Sequence, residues 1–315
     1  MRRVLAFAAV GILAAVVPAG LAAARGPQAS PAATAGGAAG VSAAVGAPRQ
    51  GGAAGVHPGA ATNPGLVAGP QPFTGIRLPD GRTYVLHAPT GTATGARPLV
   101  IVLHGLYNTW RSLDLASDWS GYGDRHGLLV AYGVGVGASW NAGTCCGPAH
   151  ARHVDDVAYL VSVVADMRAR YDVDRGRVYV VGFSDGDMMA MRAQCERPDV
   201  FAASGGSSGQ LVGPCRAPSG QIRVRHLHGL GDTAVPYRGG YSTYTGTSFP
   251  AVPLLPRLVA AGAPHPVVAT TALRCGHVWP RRNNACQADG TDLIWRWISQ
   301  FRRGPAVGVQ QPPQL

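Results

Sequence analysis

Two apolar patterns alternate from about residue 80 to residue 303: short continuous runs, and longer stretches with apolar side chains at helical spacing. The clearest run is Pro98-Leu99-Val100-Ile101-Val102-Leu103, which ends at His104-Gly105. A run that is apolar on both faces suits a parallel strand covered by helices on each side. Gly127 to Tyr132, Arg177 to Val181, Ile222 to Leu227 and Pro266 to Leu273 predict further strands, and Arg82 to His87 alternates into another. Helical spacing appears in Asp155 to Tyr171 through Val157, Leu160, Val161, Val164 and Met167, and in Asp292 to Arg303 through Ile294, Trp297, Ile298 and Phe301. Strands alternating with helices predict an α/β fold, an open and mostly parallel sheet with helices on both faces.

Against that pattern Gly182-Phe183-Ser184-Asp185-Gly186 falls between the run Arg177 to Val181 and the helical stretch Asp187 to Ala193. The order is strand, tight turn, helix. A serine hydroxyl is a weak nucleophile until a base reaches it and N–H donors face the developing oxyanion, and such a turn supplies both. Gly182 and Gly186 remove the Cβ atoms that would collide where the chain doubles back. Ser184 is the expected nucleophile; without its setting the pentapeptide reads as a Gly-rich turn.

In this architecture the acid and the base follow the nucleophile, on turns beyond later strands. Of Glu196, Asp199, Asp232, Asp289 and Asp292, only Asp232 follows a predicted strand. His277, in Cys275-Gly276-His277-Val278-Trp279-Pro280, lies just beyond another. The expected roles are Ser184 as nucleophile, His277 as general base and then acid, and Asp232 as the carboxylate that orients the imidazole. The bland alternatives are a turn-capping role for Asp232 and a structural loop role for His277. His226 and His228 share a strand face and are expected to be packed and hydrogen-bonded rather than metal ligands. The oxyanion donors are expected to be the backbone N–H groups of Asp185 and Leu106.

Composition bounds the rest. The 315-residue chain is 46% hydrophobic and 14% charged, enough for a full core. Residues 1–24 combine Met1-Arg2-Arg3 with an uncharged stretch and Ala22-Ala23-Ala24, which predicts an export signal; an uncleaved membrane anchor is the competing reading. Residues 25–70, mostly Ala, Gly and Pro, predict a flexible spacer, 71–303 a single catalytic domain, and 304–315 a flexible tail. The net charge of +11 comes from Arg alone, scattered and not interleaved with aromatics, so no nucleic-acid partner is expected. Loose association with an acidic cell envelope is the functional reading of that charge. With no Lys, Schiff-base chemistry and a lysine-bearing phosphate loop are excluded. Six Cys in an exported chain predict disulfides, and local spacing suggests Cys195 with Cys215 and Cys275 with Cys286.

With these residues in hand, the sequence resembles the polyhydroxybutyrate depolymerase-type esterases, α/β-hydrolases related to feruloyl and acetylxylan esterases. The matching strings are Asp80-Gly81-Arg82-Thr83-Tyr84, Leu103-His104-Gly105, Trp140 to Pro148, Asp155-Asp156-Val157, the serine turn with Met188-Met189, His226-Leu227-His228-Gly229 with Asp232 and Val235-Pro236-Tyr237, and Gly276 to Pro280. The resemblance implies a secreted, monomeric serine esterase that needs no cofactor or metal. It implies action on polymeric or oligomeric esters: short hydroxyalkanoate polyesters, or feruloyl and acetyl esters of polysaccharides. By the same resemblance His104, Trp140, Asn141 and Trp279 line the substrate site. A peptidase or acyltransferase on the same fold, and a non-catalytic envelope-binding protein, are the alternatives. Two departures stand out. Ser184-Asp185-Gly186-Asp187 replaces the usual Ser-Asn-Gly-Gly; negative charge there suits the helix dipole as a structural feature, and the functional reading is that these carboxylates oppose the forming oxyanion, lower activity or shift its pH optimum. The stretch between Tyr237 and Pro266 is short and Gly-, Ser- and Thr-rich, which predicts an open pocket wall.

Overall fold

The structure, a computed structural model, describes residues 73–89, 95–218 and 220–304. The expected leader, the spacer and all but the first residue of the tail lie outside them. The chain opens with strands β1 (Thr74–Arg77), β2 (Thr83–His87) and β3 (Arg97–Leu103), then helices α1 (Trp110–Ser117) and α2 (Trp119–His126) and strand β4 (Leu129–Gly133). Helices α3 (Gly147–Ala151) and α4 (Asp156–Arg170) lead to β5 (Val173–Phe183), α5 (Asp185–Glu196), β6 (Ala203–Ser207) and β7 (Arg223–Gly229). A small hairpin of β8 (Gly240–Ser242) and β9 (Thr247–Phe249), then α6 (Leu255–Ala260), β10 (Val267–Leu273) and α7 (Gly290–Ile298), complete the described order.

Eight strands form one sheet in the order β1-β2-β4-β3-β5-β6-β7-β10. Every pair from β4 across to β10 is parallel, and only the β1–β2 and β2–β4 pairs are antiparallel, so β2 alone runs against the rest. The alternation of side chains across a strand explains the continuous apolar runs. Leu99, Ile101 and Leu103 of β3, with Val178 and Val180 of β5, pack on one face against Leu160, Val164, Met188 and Met189. Val100, Val102, Tyr179 and Val181 pack on the other against Leu113, Trp119, Ile294 and Ile298. Both faces are therefore core.

Most predicted elements appear, with shifted ends. The strand before the serine is longer than expected, starting at Val173, while the last helix starts at Gly290 and stops at Ile298. Strand β6 and helices α1 and α2 were not expected. β6 reads Ala-Ser-Gly-Gly-Ser, and its lack of bulk is a packing requirement: a Cβ on Gly205 would stand 2.5 Å from Ile294 of α7.

The topology fixes where chemistry can occur. β3 pairs with β4 on one side and β5 on the other, so the loops leaving β3 and β5 diverge and open a crevice at the carboxyl edge. Gly105, after β3, and Ser184, after β5, meet there: a Cβ on Gly105 would lie 3.3 Å from Ser184 Cβ. The turn itself has no room for side chains at its flanks. A Cβ on Gly182 would strike the Gly186 carbonyl, and one on Gly186 would strike the carbonyls of Leu103 and His104. Replacing Gly186 with Ala forces α5 away from β3, at a cost of about 1–3 kcal/mol or more. A lowered Tm together with slower reaction of Ser184 with a fluorophosphonate is the expected outcome.

Candidate active site

Ser184 sits at the tip of the turn with φ 55° and ψ −120°, a conformation that L-residues avoid and that recurs at functional turns. Its N–H donates to Ser207 O at 2.9 Å, and its carbonyl accepts from Asp187 and Met188, so the strain is held from both sides. The side chain is left for the crevice. His277 Nε2 stands 3.0 Å from Ser184 Oγ, and His277 Nδ1 stands 2.8 Å from Asp232 Oδ2. A carboxylate only accepts, so Nδ1 carries the proton and Nε2 accepts from the hydroxyl.

The two supporting loops are fastened to each other. Asp232 Oδ1 accepts from Ala234 N–H at 3.0 Å and Val235 N–H at 2.8 Å, which aims Oδ2 at the imidazole. Leu230 N–H donates to Leu273 O and Gly231 N–H to Cys275 O, tying the loop after β7 to the loop after β10. Cys275 and Cys286 are bonded, closing the segment that carries His277 and Trp279. Cys195 is bonded to Cys215 as expected, and Cys145 to Cys146. Removing the Cys275–Cys286 cross-link with paired Ser substitutions is expected to cost on the order of 2–3 kcal/mol. It also frees the His277 segment, so a lower Tm with slower labelling of Ser184 is the outcome to measure.

Leu106 and Asp185 are placed beside the serine by the turns after β3 and β5. Among the described residues no carbonyl takes up either backbone N–H. Trp279 lines a cavity of about 270 Å³ with His277, Phe183, Val278, Leu113 and Asn108. Its indole N–H donates to Thr291 Oγ1, which holds the ring edge against the cavity. A larger cavity, of about 470 Å³, opens at Ile76, Leu86 and Tyr171 and contains none of these groups.

Of the other residues expected at the substrate, His104 and Trp140 have their polar atoms bonded within the scaffold, while Asn141 is anchored there through its N–H groups and lines a separate cavity of about 300 Å³. His104 is buried; its Nε2 accepts from Gly135 N–H at 3.1 Å and its Nδ1–H donates to Gly105 O at 2.9 Å. Burial lowers its pKa, which suits this neutral ring. Trp140 is fully buried, with its indole N–H on His104 O. Asn141 donates through its backbone to Asp156 Oδ2 and through its side chain to Val154 O. Asp156 in turn pairs with Arg82 at 2.8 Å; burial raises its pKa, against the opposing pull of Asn141 N–H and Arg82. These residues brace the loop behind the serine helix.

The side chain of Asp185 is tied into the scaffold. Its Oδ2 accepts from the Trp140 N–H at 2.8 Å, and its Oδ1 has no partner. Burial drives its pKa well above the usual carboxylate range, and its Oδ2 is committed to the scaffold. The sign of the stability effect follows. A carboxyl raised in the folded state keeps its full contribution below its unfolded pKa of about 4 and loses it as pH rises toward the folded value. Asp185→Asn removes this dependence, so thermal melts should show the variant gaining on the wild type steadily as pH is raised.

The sequence matches the family described as Esterase PHB depolymerase over residues 82–271. The chain belongs to this family. Among similar proteins, the putative esterase NocK of Nocardia uniformis subsp. tsuyamanensis is 34% identical over 162 residues, 50% of this chain and 47% of that protein. Feruloyl esterase B of Piromyces equi is 30% identical over 172 residues, covering 51% and 31%. Poly(3-hydroxyalkanoate) depolymerase C of Paucimonas lemoignei is 31% identical over 170 residues, covering 51% and 40%. The chain thus spans less than half the length of these three relatives. A crystal structure of native pOPH superposes with a TM-score of 0.54 at 16% identity, covering 78% of this chain and 94% of that one. A thermostable esterase superposes at 0.52 with 18% identity, covering 76% and 64%. The fold is that of the α/β-hydrolases.

Proposed function

We propose that this family member is a secreted serine carboxylic-ester hydrolase with Ser184, His277 and Asp232 as its catalytic triad. The observation that carries the reading is the unbroken hydrogen-bond line from Ser184 Oγ through the His277 ring to Asp232 Oδ2. Ser184 attacks the ester carbonyl while His277 Nε2 takes the hydroxyl proton. The oxyanion then faces the backbone N–H groups of Leu106 and Asp185. Collapse expels the alcohol, which takes the proton back from His277, and water hydrolyses the acyl-serine by the same route.

The chain is organised as a signal at 1–24, a spacer at 25–70, the hydrolase domain at 71–303 and a tail. Disulfides fit an oxidising compartment outside the cell. The cavity beside His277 is at the small end for ligand sites and is walled by Phe183, Val278 and Trp279. It suits a short acyl group or a single aromatic ring. That fits short hydroxyalkanoate oligomers and feruloyl or acetyl esters of polysaccharides, in keeping with the names of the relatives.

Mass spectrometry after treatment with a fluorophosphonate tests the nucleophile, with labelling at Ser184 expected. Ser184→Ala should lose the label and reduce hydrolysis of a short-chain nitrophenyl ester by about 10⁴-fold or more. A folded protein that takes no label is a binding protein on a hydrolase fold. For an active protein, hydroxybutyrate oligomers, feruloyl esters, acetylated xylan and peptides then separate the substrate classes.

A further inference from the structure

His226 and His228 on β7 are fully buried, and the triad does not use them. Their surroundings assign most of their protons. His228 Nε2 lies 2.8 Å from the Val235 carbonyl oxygen, and a carbonyl only accepts, so Nε2 carries the proton. Burial, with His226 alongside, pushes the His228 pKa down to about 4, so the ring is neutral and its Nδ1 is an acceptor. That Nδ1 stands 2.9 Å from His226 Nε2, which must therefore donate. His226 Nδ1 in turn faces Asp187 Oδ2 at 2.9 Å, at ion-pair distance without a directed hydrogen bond, while Oδ2 also accepts from Gly209 N–H at 3.1 Å. Without a proton between them, a nitrogen lone pair and a carboxylate oxygen would be pressed together where neither side chain is more than 1% exposed.

The room for this carboxyl comes from two glycines. A Cβ on Gly206 would strike Asp187 Oδ1, and one on Gly209 would lie 2.8 Å from Asp187 Cβ. At the other end of the line, His228 Nε2 is 3.4 Å from Asp232 Oδ2, the same oxygen that receives His277 Nδ1–H. The remaining titratable group nearby is Tyr237, whose ring centre is 5.9 Å from that of His228. β6 and β10, the strands flanking β7, place Gly206, Thr270 and Ala272 opposite the two histidines and bring no further charge.

We propose that Asp187 and His226 hold one buried proton between them, and that this proton makes Asp187 a positioning residue for Asp232. With the proton present, His226 donates through Nε2, and His228 directs its own N–H at Val235 O, with Asp232 Oδ2 3.4 Å from the same nitrogen. When hydroxide removes it, Asp187 is left as a carboxylate and the remaining ring protons both move, His226 to Nδ1 and His228 to Nδ1. One proton leaves and two stay. His228 Nε2 then turns a lone pair on the Val235 carbonyl and, 3.4 Å away, on Asp232 Oδ2, and the carboxylate that orients His277 is repelled. Ala at position 187 has no charge to draw the His226 proton to Nδ1, so the arrangement that supports Asp232 persists at alkaline pH.

The proposal rests on the triad reading above, and two measurements keep the two apart. ¹⁵N spectra of the histidine rings need no activity: the wild type should show His228 protonated at Nε2 near neutral pH and at Nδ1 once the shared proton is lost. In pH–rate profiles with a nitrophenyl ester, wild-type kcat should fall about tenfold or more on the alkaline side with KM nearly constant. Asp187→Ala should lack that alkaline fall and keep kcat within about twofold across the same range. Equal alkaline limbs in the two proteins, or a His228 proton on Nδ1 near neutral pH, overturn the proposal. If Asp187→Ala does not fold, the wild-type spectra decide alone. A wild type that hydrolyses no ester refutes the triad reading and leaves the proton count to the spectra.

Discussion

The Ser184 backbone is held at φ 55° and ψ −120° because three chain segments crowd the same few ångströms. β3 ends against Gly186, β5 doubles back over Gly182, and the Gly105 turn lies against Phe183 and Ser184. A side chain at Gly182 or Gly186 would force the segments apart, and one at Gly105 would press on Phe183 and Ser184, while the parallel pairing of β3 with β5 leaves them nowhere else to go. The strain of one residue is thus maintained by the register of the sheet. This steric constraint sets the position of the hydroxyl, and the loops after β7 and β10 are built to meet it.

Those loops use hydrogen bonds where the serine turn uses crowding. Asp232 is almost fully buried, yet both of its oxygens have donors: two backbone amides on one, and His277 on the other. Asp185 shows the contrast. It is also buried but has a single donor, the Trp140 N–H, and an oxygen with no partner, and its pKa is raised accordingly. Donor count separates a buried carboxylate that can orient a histidine from a buried acid that can only brace a loop.

Much of this was legible in the sequence, for identifiable reasons. The runs at Leu99 to Leu103 and Val178 to Val181 read as strands because they are core on both faces, and the helix from Asp156 to Arg170 read from its spacing. Ser184, Asp232 and His277 could be chosen because each follows a strand, and turns after parallel strands share one edge of the sheet. β6 was illegible because a central strand normally shows itself by bulk, and here α7 and Asp187 fill the space that its own side chains would take. α1 and α2 carry polar exposed faces with few apolar positions each, too few for a period to show. The burial of His104 and Trp140 was also hidden, since a motif string states neighbours in sequence and says nothing of which side of the backbone faces the crevice.

The pairing of Asp187 with His226 joins residues far apart in sequence, and its only local trace is an acid in the first turn of α5. The surrounding glycines give that trace its meaning. Gly206 and Gly209 leave a space that a carboxyl fills at position 187, and a glycine there would leave it empty or open to water. A buried acid introduced into such a space stays only if a proton or a cation comes with it. His226 stands on the strand beside it, and its other ring nitrogen faces His228. On the proposal above, Asp187 in the first turn of α5 therefore reaches Asp232 through the rings of His226 and His228 and not through Ser184 and His277, so an acid beside the serine turn acts at the opposite end of the proposed triad.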